Sequence, residues 1–430
     1  MTTMDAVLGT PQELVGCLEA LFGSVLYYRE PTRTGCRHRY VCLADADVIR
    51  AGEPDAMARV TAAFDSAEDA ARAGSDEVFF ALSYDLAVIA RMAQNDPACR
   101  IPLGTPLAVI ARPTISVTIA EPSGSFIVEC ADPALRRELV RLCKPTYRPE
   151  PPDPGTPLRP LTTVVAPIDV DLYHSQVAEA MRAFERGDVY QLVVSASTVV
   201  RPTMSVPEYF AATAQRYAYA TYSYWLAIDG IRVFGNCFLP HVTRKGDTVS
   251  SLVLAGTQVG STDPAELATA DRRLLDDPKY FGEHLMLVDV ERNDLGQFCQ
   301  PGSVAVRGLR RPLRTGPTTY LDTHVTGRVD RHTSLATMVL RTFPRGVVVG
   351  APKRRAQELL DVIESVPRGF YTGVIGVYRP ATRRLVSNTI VTCAQQQQDE
   401  LVLRCAGGLT IDSDVDQELA ELALKLKFLV

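Results

Sequence analysis

Three ionisable residues near the C-terminus share one helix face. In DQELAELALKLK (416–427), Glu418, Glu421 and Lys425 stand at i, i+3 and i+7. At ~100° per residue they fall within about 60° of arc, while Leu419, Leu422 and Leu426 make an apolar stripe beside them. Two carboxylates one turn apart can hold a hard divalent cation, and a lysine one turn on can hold an anionic ligand. Taken alone, the pattern also fits a solvated face carrying a helix ion pair. A further carboxylate, Glu283, begins the apolar run His284–Val288 in KYFGEHLMLVDVERNDLG (279–296). A carboxylate beside a buried run needs a partner, unless it sits at a helix end in water. The following Glu291, Arg292, Asn293 and Asp294 read as a polar loop network.

Two backbone segments could approach a ligand. FPRGVVVGAPKRRA (343–356) joins a glycine-rich turn to a helix start at Pro352, where free N–H groups can meet an anion; its spacing is not that of a Walker loop. Cys405-Ala406-Gly407-Gly408 ends a predicted strand, and its glycines permit close backbone approach or simply a tight turn. The histidines show no metal-ligand spacing, and no nucleophile elbow is present.

The elements that must position these groups follow from periodicity. Tyr173, Val177, Ala180, Met181 and Phe184 recur at helical spacing, with Gly187 as the stop. Val189–Val200 is rich in β-branched residues and predicts a long strand. Further strands are predicted at Val78–Leu82, Leu107–Ala111, Trp225–Ile228, Thr248–Leu254, Gly373–Tyr378 and Leu401–Cys405. Helices are predicted at Pro264–Leu275, Lys279–Val288, Leu335–Thr342, Arg355–Ile363 and Asp416–Phe428. Strand groups interspersed with helices, without strict βαβ alternation, predict an α+β fold with large, mainly antiparallel sheets. A proline-rich connection (145–164) separates an N-terminal region (1–144) from a C-terminal region (165–430).

Composition narrows the class. The chain has 430 residues, 46% hydrophobic and 22% charged, with a net charge of −5. That balance suits a large folded unit and gives no reason to expect nucleic-acid binding. Ten cysteines without a CxxC pair read as reduced, buried thiols. The chain opens without a basic-then-apolar leader, and no run of eighteen apolar residues occurs, so a cytoplasmic protein without membrane spans is expected.

GDVYQLVVS (187–195), LAGT (254–257), EHLMLVDVERNDLG (283–296), GAPKRRA (350–356), PRGFYTGVIG (367–376) and AGGLTIDSDVDQELAELALK (406–425) occur in this order. Together they resemble the chorismate-utilising enzymes: anthranilate and aminodeoxychorismate synthase component I, and the isochorismate and salicylate synthases. FFALSYDLA (79–87) resembles the N-terminal part of the anthranilate and aminodeoxychorismate members. The resemblance implies that Glu283 and Glu421, with Glu418 beside them, bind Mg²⁺ that holds the ring carboxylate of chorismate. It implies that Lys425 lies near that carboxylate, that Gly256, Thr257, Gly407 and Gly408 line the substrate site, and that Tyr371 meets the enolpyruvyl carboxylate. Gln191 falls where water-adding members carry a basic lysine and ammonia-adding members a glutamine; an amide cannot serve as a base. Ala255 falls where aminodeoxychorismate synthases have a nucleophilic lysine. The implied reaction is therefore of the anthranilate or aminodeoxyisochorismate type, with a glutamine amidotransferase subunit as partner.

The pattern also departs from the family. His241 stands for a glutamate acid, Tyr320 for a histidine near the ring carboxylate, and Thr392 for an arginine that grips the enolpyruvyl carboxylate. Tyr280, Val347, Val349 and Gln258 are further replacements. A lost buried arginine clamp is worth roughly 2–5 kcal/mol. This keeps open a family member repurposed for a different carboxylate, or a non-catalytic metabolite-binding relative.

Overall fold

The computed structural model describes residues 11–32, 34–74, 77–92, 100–121, 123–143, 160–217, 219–259, 264–315 and 318–427. Most of the predicted proline-rich connection therefore lies outside the described residues. The fold is α+β, built on two large antiparallel sheets. One has eleven strands; its path runs Gly350–Ala351, Gln191–Pro202, Glu400–Leu409, Cys393–Gln397, Ile231–Cys237, Tyr222–Ile228, Val25–Pro31, Cys36–Cys42, Ser116–Glu121, Ser125–Glu129, with Thr162–Ala166 beside Gln191–Pro202. The other has nine: Ala305–Thr315, Thr318–Arg328, Thr248–Val259, Thr243–Lys245, Arg384–Thr389, Val374–Arg379, Val78–Leu82, Pro106–Ala111, Asp47–Arg50. Both sheets take strands from both halves of the chain. Val25 lies opposite Ala227 in the first, and Phe79 opposite Val377 in the second.

The layering explains the strand sequences. Leu26, Tyr28, Phe79, Ala81, Val109, Tyr224, Ile375 and Val377 form a shared core to which both sheets contribute. Their alternate neighbours Val25, Tyr27 and Trp225 pack instead with helices Pro11–Phe22, Val170–Glu185 and Val206–Arg216. Val78, Phe80 and Leu82 likewise pack with helices Ala56–Gly74, Pro278–Gly296 and Leu335–Thr342. A strand covered on both faces has no polar side to keep, so VFFAL is buried at every residue. No helix among the described residues is long and apolar enough to cross a membrane.

One element differs from expectation in a way that matters. Helix Pro278–Gly296 does not end before Glu291; the segment read as a loop network is its last turns. Glu291 and Asp294 are buried, and their charge is met from the 343–356 segment. Arg345, fully buried, pairs with Glu291 at 2.8 Å and donates to the carbonyls of Pro240 and Leu252 at 2.7 and 2.8 Å. Lys353 pairs with Asp294 at 2.7 Å. Thus Lys353, at the start of helix Lys353–Ile363, is engaged by protein. Gly350-Ala351 pairs with Leu192 and Gln191, fixing the start of the long strand. Gly350 has φ +119°, and a Cβ there would stand 2.1 Å from the Gln191 carbonyl oxygen, so only glycine suits it.

A second clamp joins the N-terminal SYD segment to residue 369. The Tyr84 amide and the Ser83 hydroxyl both donate to the Gly369 carbonyl, at 2.9 and 2.7 Å, and Asp85 accepts from the Gly369 amide at 3.1 Å. Burial pushes the Asp85 carboxyl up to about 6, against the pull of that amide.

Two outcomes are expected. Arg345→Met strands Glu291 and lowers unfolding free energy by about 3–5 kcal/mol in denaturant titrations, with part recovered by adding Glu291→Gln; a loss below 1 kcal/mol would contradict the buried-pair account. For Asp85, the folded state holds a proton that the unfolded chain releases from about pH 4. Its contribution to stability therefore falls as pH rises from about 4 to 6 and is flat above. Asp85→Asn removes this slope and raises stability at pH 8 by about 2–3 kcal/mol relative to pH 4. Parallel pH profiles for the two proteins would rule this out.

Candidate active site

A cavity of about 350 Å³ receives side chains from widely separated parts of the chain. Its size suits a small ring compound. Glu283 comes from the first half of helix Pro278–Gly296, and Glu418, Glu421 and Lys425 from the C-terminal helix Val415–Lys427. Gln191 stands at the start of the long strand, Gly408 on its neighbour, and Gly256 on strand Thr248–Val259. Tyr320, Tyr371 and Thr392 complete the set of predicted residues that line it.

The C-terminal helix is amphipathic as its spacing requires. Leu422 and Leu426 are buried, which turns the acidic face past strand Glu400–Leu409 toward the cavity. Lys425 donates to Glu421 Oε1 at 2.8 Å and to the Ala406 carbonyl at 2.8 Å. Burial pulls the Lys425 ammonium down, but the charge and hydrogen bond of Glu421 more than offset it, so the group stays protonated. Glu418 Oε1 accepts from the Ser413 hydroxyl at 2.9 Å. On the opposite wall the Gln191 amide nitrogen donates to Glu283 Oε1 at 2.6 Å. That fixes the amide orientation and leaves the Gln191 carbonyl oxygen buried with no hydrogen-bond partner among the described residues. A buried acceptor of this kind, on a side chain that lines the cavity, lacks the donor that such groups ordinarily have.

The backbone makes room where side chains would not. Strand Thr248–Val259 carries an irregularity between Ala255 and Gln258, and Gly256 within it has φ +68°. Such a bulge re-aims the chain beside a site. A Cβ on Gly408 would sit 2.8 Å from Gln191 Nε2 and 3.7 Å from Glu283 Oε1.

Residues 23–430 match the family model described as chorismate binding enzyme. The chain belongs to the chorismate-binding enzyme family. It is 32% identical to anthranilate synthase component 1 of Spirochaeta aurantia over 271 residues, 62% of this chain and 56% of that protein. It is 33% identical to an anthranilate synthase component 1 of Haloarcula marismortui over 285 residues, 65% and 57% of the two chains. The chain thus spans little more than half the length of these curated relatives. Among solved structures it resembles the menaquinone-specific isochorismate synthase MenF of Escherichia coli (TM-score 0.70, 16% identity, 99% of this chain and 91% of that one). It also resembles anthranilate synthase component I of Streptococcus pneumoniae (TM-score 0.68, 21% identity, 82% and 80%). At these identities the structural likeness speaks to the fold.

For this member of the chorismate-binding family, two predicted positions stand differently from expectation and a third is not described. His241 does not line the cavity. Its ring is buried between the Thr342 hydroxyl at 2.9 Å and the Thr389 hydroxyl at 3.3 Å. Burial, with the charges of Arg345 and Lys353, holds it far below the usual imidazole range, so it is neutral at physiological pH and cannot serve as a cationic acid. Gly407 does not line the cavity either: its missing Cβ faces Glu418 Oε2 at 3.0 Å, so its role is to leave room for that carboxylate. Thr257 lies on the irregular strand segment, and its side chain is outside those described. Conversely, Tyr217, Tyr219 and Phe238 form an aromatic wall, with the Phe238 and Tyr320 rings 5.2 Å apart. For Tyr217 and Tyr219 the aromatic-rich stretch RYAYATYSYW (216–225) was the available signal.

The donor set suits a hard cation. Among the described lining residues, three carboxylates face one ammonium, an excess of negative charge that would repel an anionic ligand. The three do not crowd together: among the described residues, the group whose ligand atoms lie within 4.8 Å of one another is a different one. Mg²⁺ does not demand crowding, since it keeps waters and takes one or two carboxylates plus the ligand.

Gly408→Ala tests the geometry of the Gln191 wall. The clash is with a side-chain end, so unfolding free energy should change by less than about 1 kcal/mol, while chorismate binding by calorimetry weakens at least ~10-fold as the amide is displaced from Glu283. Gly350→Ala, by contrast, should chiefly destabilise the fold. Equal effects of the two changes on binding and stability would contradict the assignment.

Proposed function

We propose that this protein is a Mg²⁺-dependent synthase of the anthranilate or aminodeoxyisochorismate type, acting on chorismate with ammonia as nucleophile. The observation that carries the reading is Gln191, which lines the same cavity as the carboxylates and whose buried carbonyl oxygen has no partner among the described residues. Ammonia offers N–H donors that this oxygen can orient. Water would need a base, and an amide is none. Bound Mg²⁺ would supply Lewis-acid charge to the ring carboxylate, held by Glu283 and Glu421 with Glu418 beside them. Lys425 adds the remaining positive charge, while Tyr320 and Phe238 flank the ring space and exclude water. The similarity to anthranilate synthase component 1 proteins supports the same reading and suggests a separate glutamine amidotransferase subunit as ammonia source. A cytoplasmic setting and a place in aromatic or specialised-metabolite biosynthesis fit it.

One feature favours a second reading. Thr392 and Val391 stand at the cavity, and among the described lining residues Lys425 is the only cation. A pocket with one ammonium and no guanidinium suits a ligand with fewer carboxylates than chorismate. Calorimetry separates the two: tight chorismate binding counts against a repurposed pocket. An in vivo role untouched by Glu421→Ala would instead point to a non-catalytic metabolite-binding relative.

The decisive assay incubates the purified chain with chorismate, Mg²⁺ and either ammonium or water alone, with products read by mass. Consumption with ammonium, giving an amino product and none with water, is expected; unconsumed chorismate sinks the proposal. Glu421→Gln should reduce turnover by roughly 10²-fold or more and weaken the Mg²⁺ requirement.

A further inference from the structure

A second cluster of ligand-type side chains lies on the N-terminal strands, away from the cavity. Cys36 and His38 are two residues apart on strand Cys36–Cys42, so they project to the same face. The antiparallel register sets Cys36 opposite Glu121, the last residue of strand Ser116–Glu121. The three side chains meet. Cys36 Sγ is 3.4 Å from His38 Nε2 and 2.7 Å from Glu121 Oε2, and His38 Nε2 is 3.2 Å from Glu121 Oε1. Cys36 and His38 are buried, whereas the Glu121 side chain keeps 20% of its exposure, leaving one side open to water.

The surroundings orient these groups as a site. The other ring nitrogen of His38, Nδ1, is 2.8 Å from the Tyr27 hydroxyl, which aims Nε2 at the cluster. A partner on the distal ring nitrogen is what a metal-bound imidazole ordinarily has. Arg29 lies opposite His38 on the next strand and donates through Nε to Cys36 Sγ at 3.3 Å, while its Nη1 is anchored on the Ala220 carbonyl at 2.8 Å. That contact is outweighed by burial, helped by the Glu121 carboxylate, which pushes the Cys36 thiol up to about 11, so the sulfur stays protonated until a metal displaces the proton.

Distances decide what ion the trio suits. A tetrahedral zinc ion, about 2.3 Å from sulfur and about 2.0 Å from nitrogen and oxygen, requires ligand atoms roughly 3.3–3.5 Å apart. The sulfur–nitrogen and nitrogen–oxygen separations of 3.4 and 3.2 Å already match. The oxygen at the matching distance is Glu121 Oε1, whereas the thiol hydrogen bond at 2.7 Å is to Oε2 and must be given up when the metal takes the sulfur. Thiolate and imidazole disfavour Mg²⁺ and Ca²⁺.

We propose that Cys36, His38 and Glu121 form a zinc site with a water-accessible fourth position, cross-linking two neighbouring strands of the eleven-stranded sheet. Binding exchanges one Zn²⁺ for one proton. The thiol proton now held against Glu121 leaves to solvent and a sulfur electron pair goes to the metal. Neutral His38 binds through Nε2 and Glu121 through a carboxylate oxygen; nothing is oxidised or reduced.

The test uses the full chain, stripped with chelator, reloaded with zinc in excess Mg²⁺, and desalted. One zinc per chain is expected by elemental analysis, together with a rise in melting temperature. Cobalt in place of zinc should show thiolate-to-metal charge transfer in the near ultraviolet and tetrahedral d–d bands. Cys36→Ser should abolish the charge-transfer band, and Glu121→Gln, at a partly exposed position, should weaken zinc at least ~10-fold. Wild-type protein that retains no more zinc than Cys36→Ser, or a cobalt spectrum without the thiolate band, overturns the proposal. Should Cys36→Ser not fold, the wild-type cobalt spectrum and the Glu121→Gln affinity decide it. Because none of the three residues lines the cavity, the outcome is independent of the chorismate assay.

Discussion

Carboxylates gathered around one small cavity repel one another, and that repulsion is the constraint the structure is organised to bear. Each of the three glutamates is met differently. Glu421 has the Lys425 ammonium, Glu418 the Ser413 hydroxyl, and Glu283 the amide of Gln191. Among the described residues that line the cavity, one full positive charge stands against three negative ones, an imbalance that a hydrogen bond moderates without cancelling. The arrangement is therefore suited to a divalent cation first and an anionic ligand second. An anion arriving alone would meet net negative charge.

Holding such groups near each other requires a frame that does not yield. Helix Pro278–Gly296 carries Glu283 on its first half and is fixed at its other end by Glu291 and Asp294, paired with Arg345 and Lys353. The same 343–356 segment pairs through Gly350-Ala351 with the strand that begins at Gln191. One short stretch thus sets both sides of the Gln191–Glu283 contact. Replacing buried ion pairs with apolar residues is often no less stable, so their value here is better understood as positional. They fix the depth and rotation of a helix whose other end brings Glu283 to the cavity.

Much of this was legible in the chain. The spacing of Glu418, Glu421 and Lys425 against the leucine stripe placed them on one face, and the β-branched run after Gly187 gave the long strand. What escaped depended on distant partners. Glu291 and Asp294 look like loop residues because local polarity says nothing about an arginine and a lysine more than fifty positions away. His241 stood in a resembling segment, yet its surroundings, two threonine hydroxyls at residues 342 and 389, are tertiary. Gly407 and Gly408 are adjacent in sequence but face opposite sides of a strand, and only the neighbours of the missing Cβ atoms separate their roles. The way both halves of the chain share each sheet depends on register across about 200 to 300 residues, which no local pattern encodes.

The two proposed metal sites illustrate how one sheet can keep different chemistries apart. Four strands separate the strand of Gly408 from that of Cys36, roughly 24 Å at ordinary strand spacing. Distance alone would not sort the ions, since zinc binds carboxylates more strongly than magnesium does. Donor type and geometry do the sorting. The cavity offers oxygen donors that do not converge tightly, which leaves Mg²⁺ its waters and an anionic ligand to complete the shell. The N-terminal trio offers sulfur, nitrogen and oxygen close together, with the sulfur–nitrogen and nitrogen–oxygen pairs near tetrahedral separations, where a small cation of borderline softness gains most. A strand pair can present such a trio because side chains two apart and directly opposite are fixed by the ladder. A cavity built from two helices and several strand ends has no such ladder, and its carboxylates are left to close on the ion when it arrives.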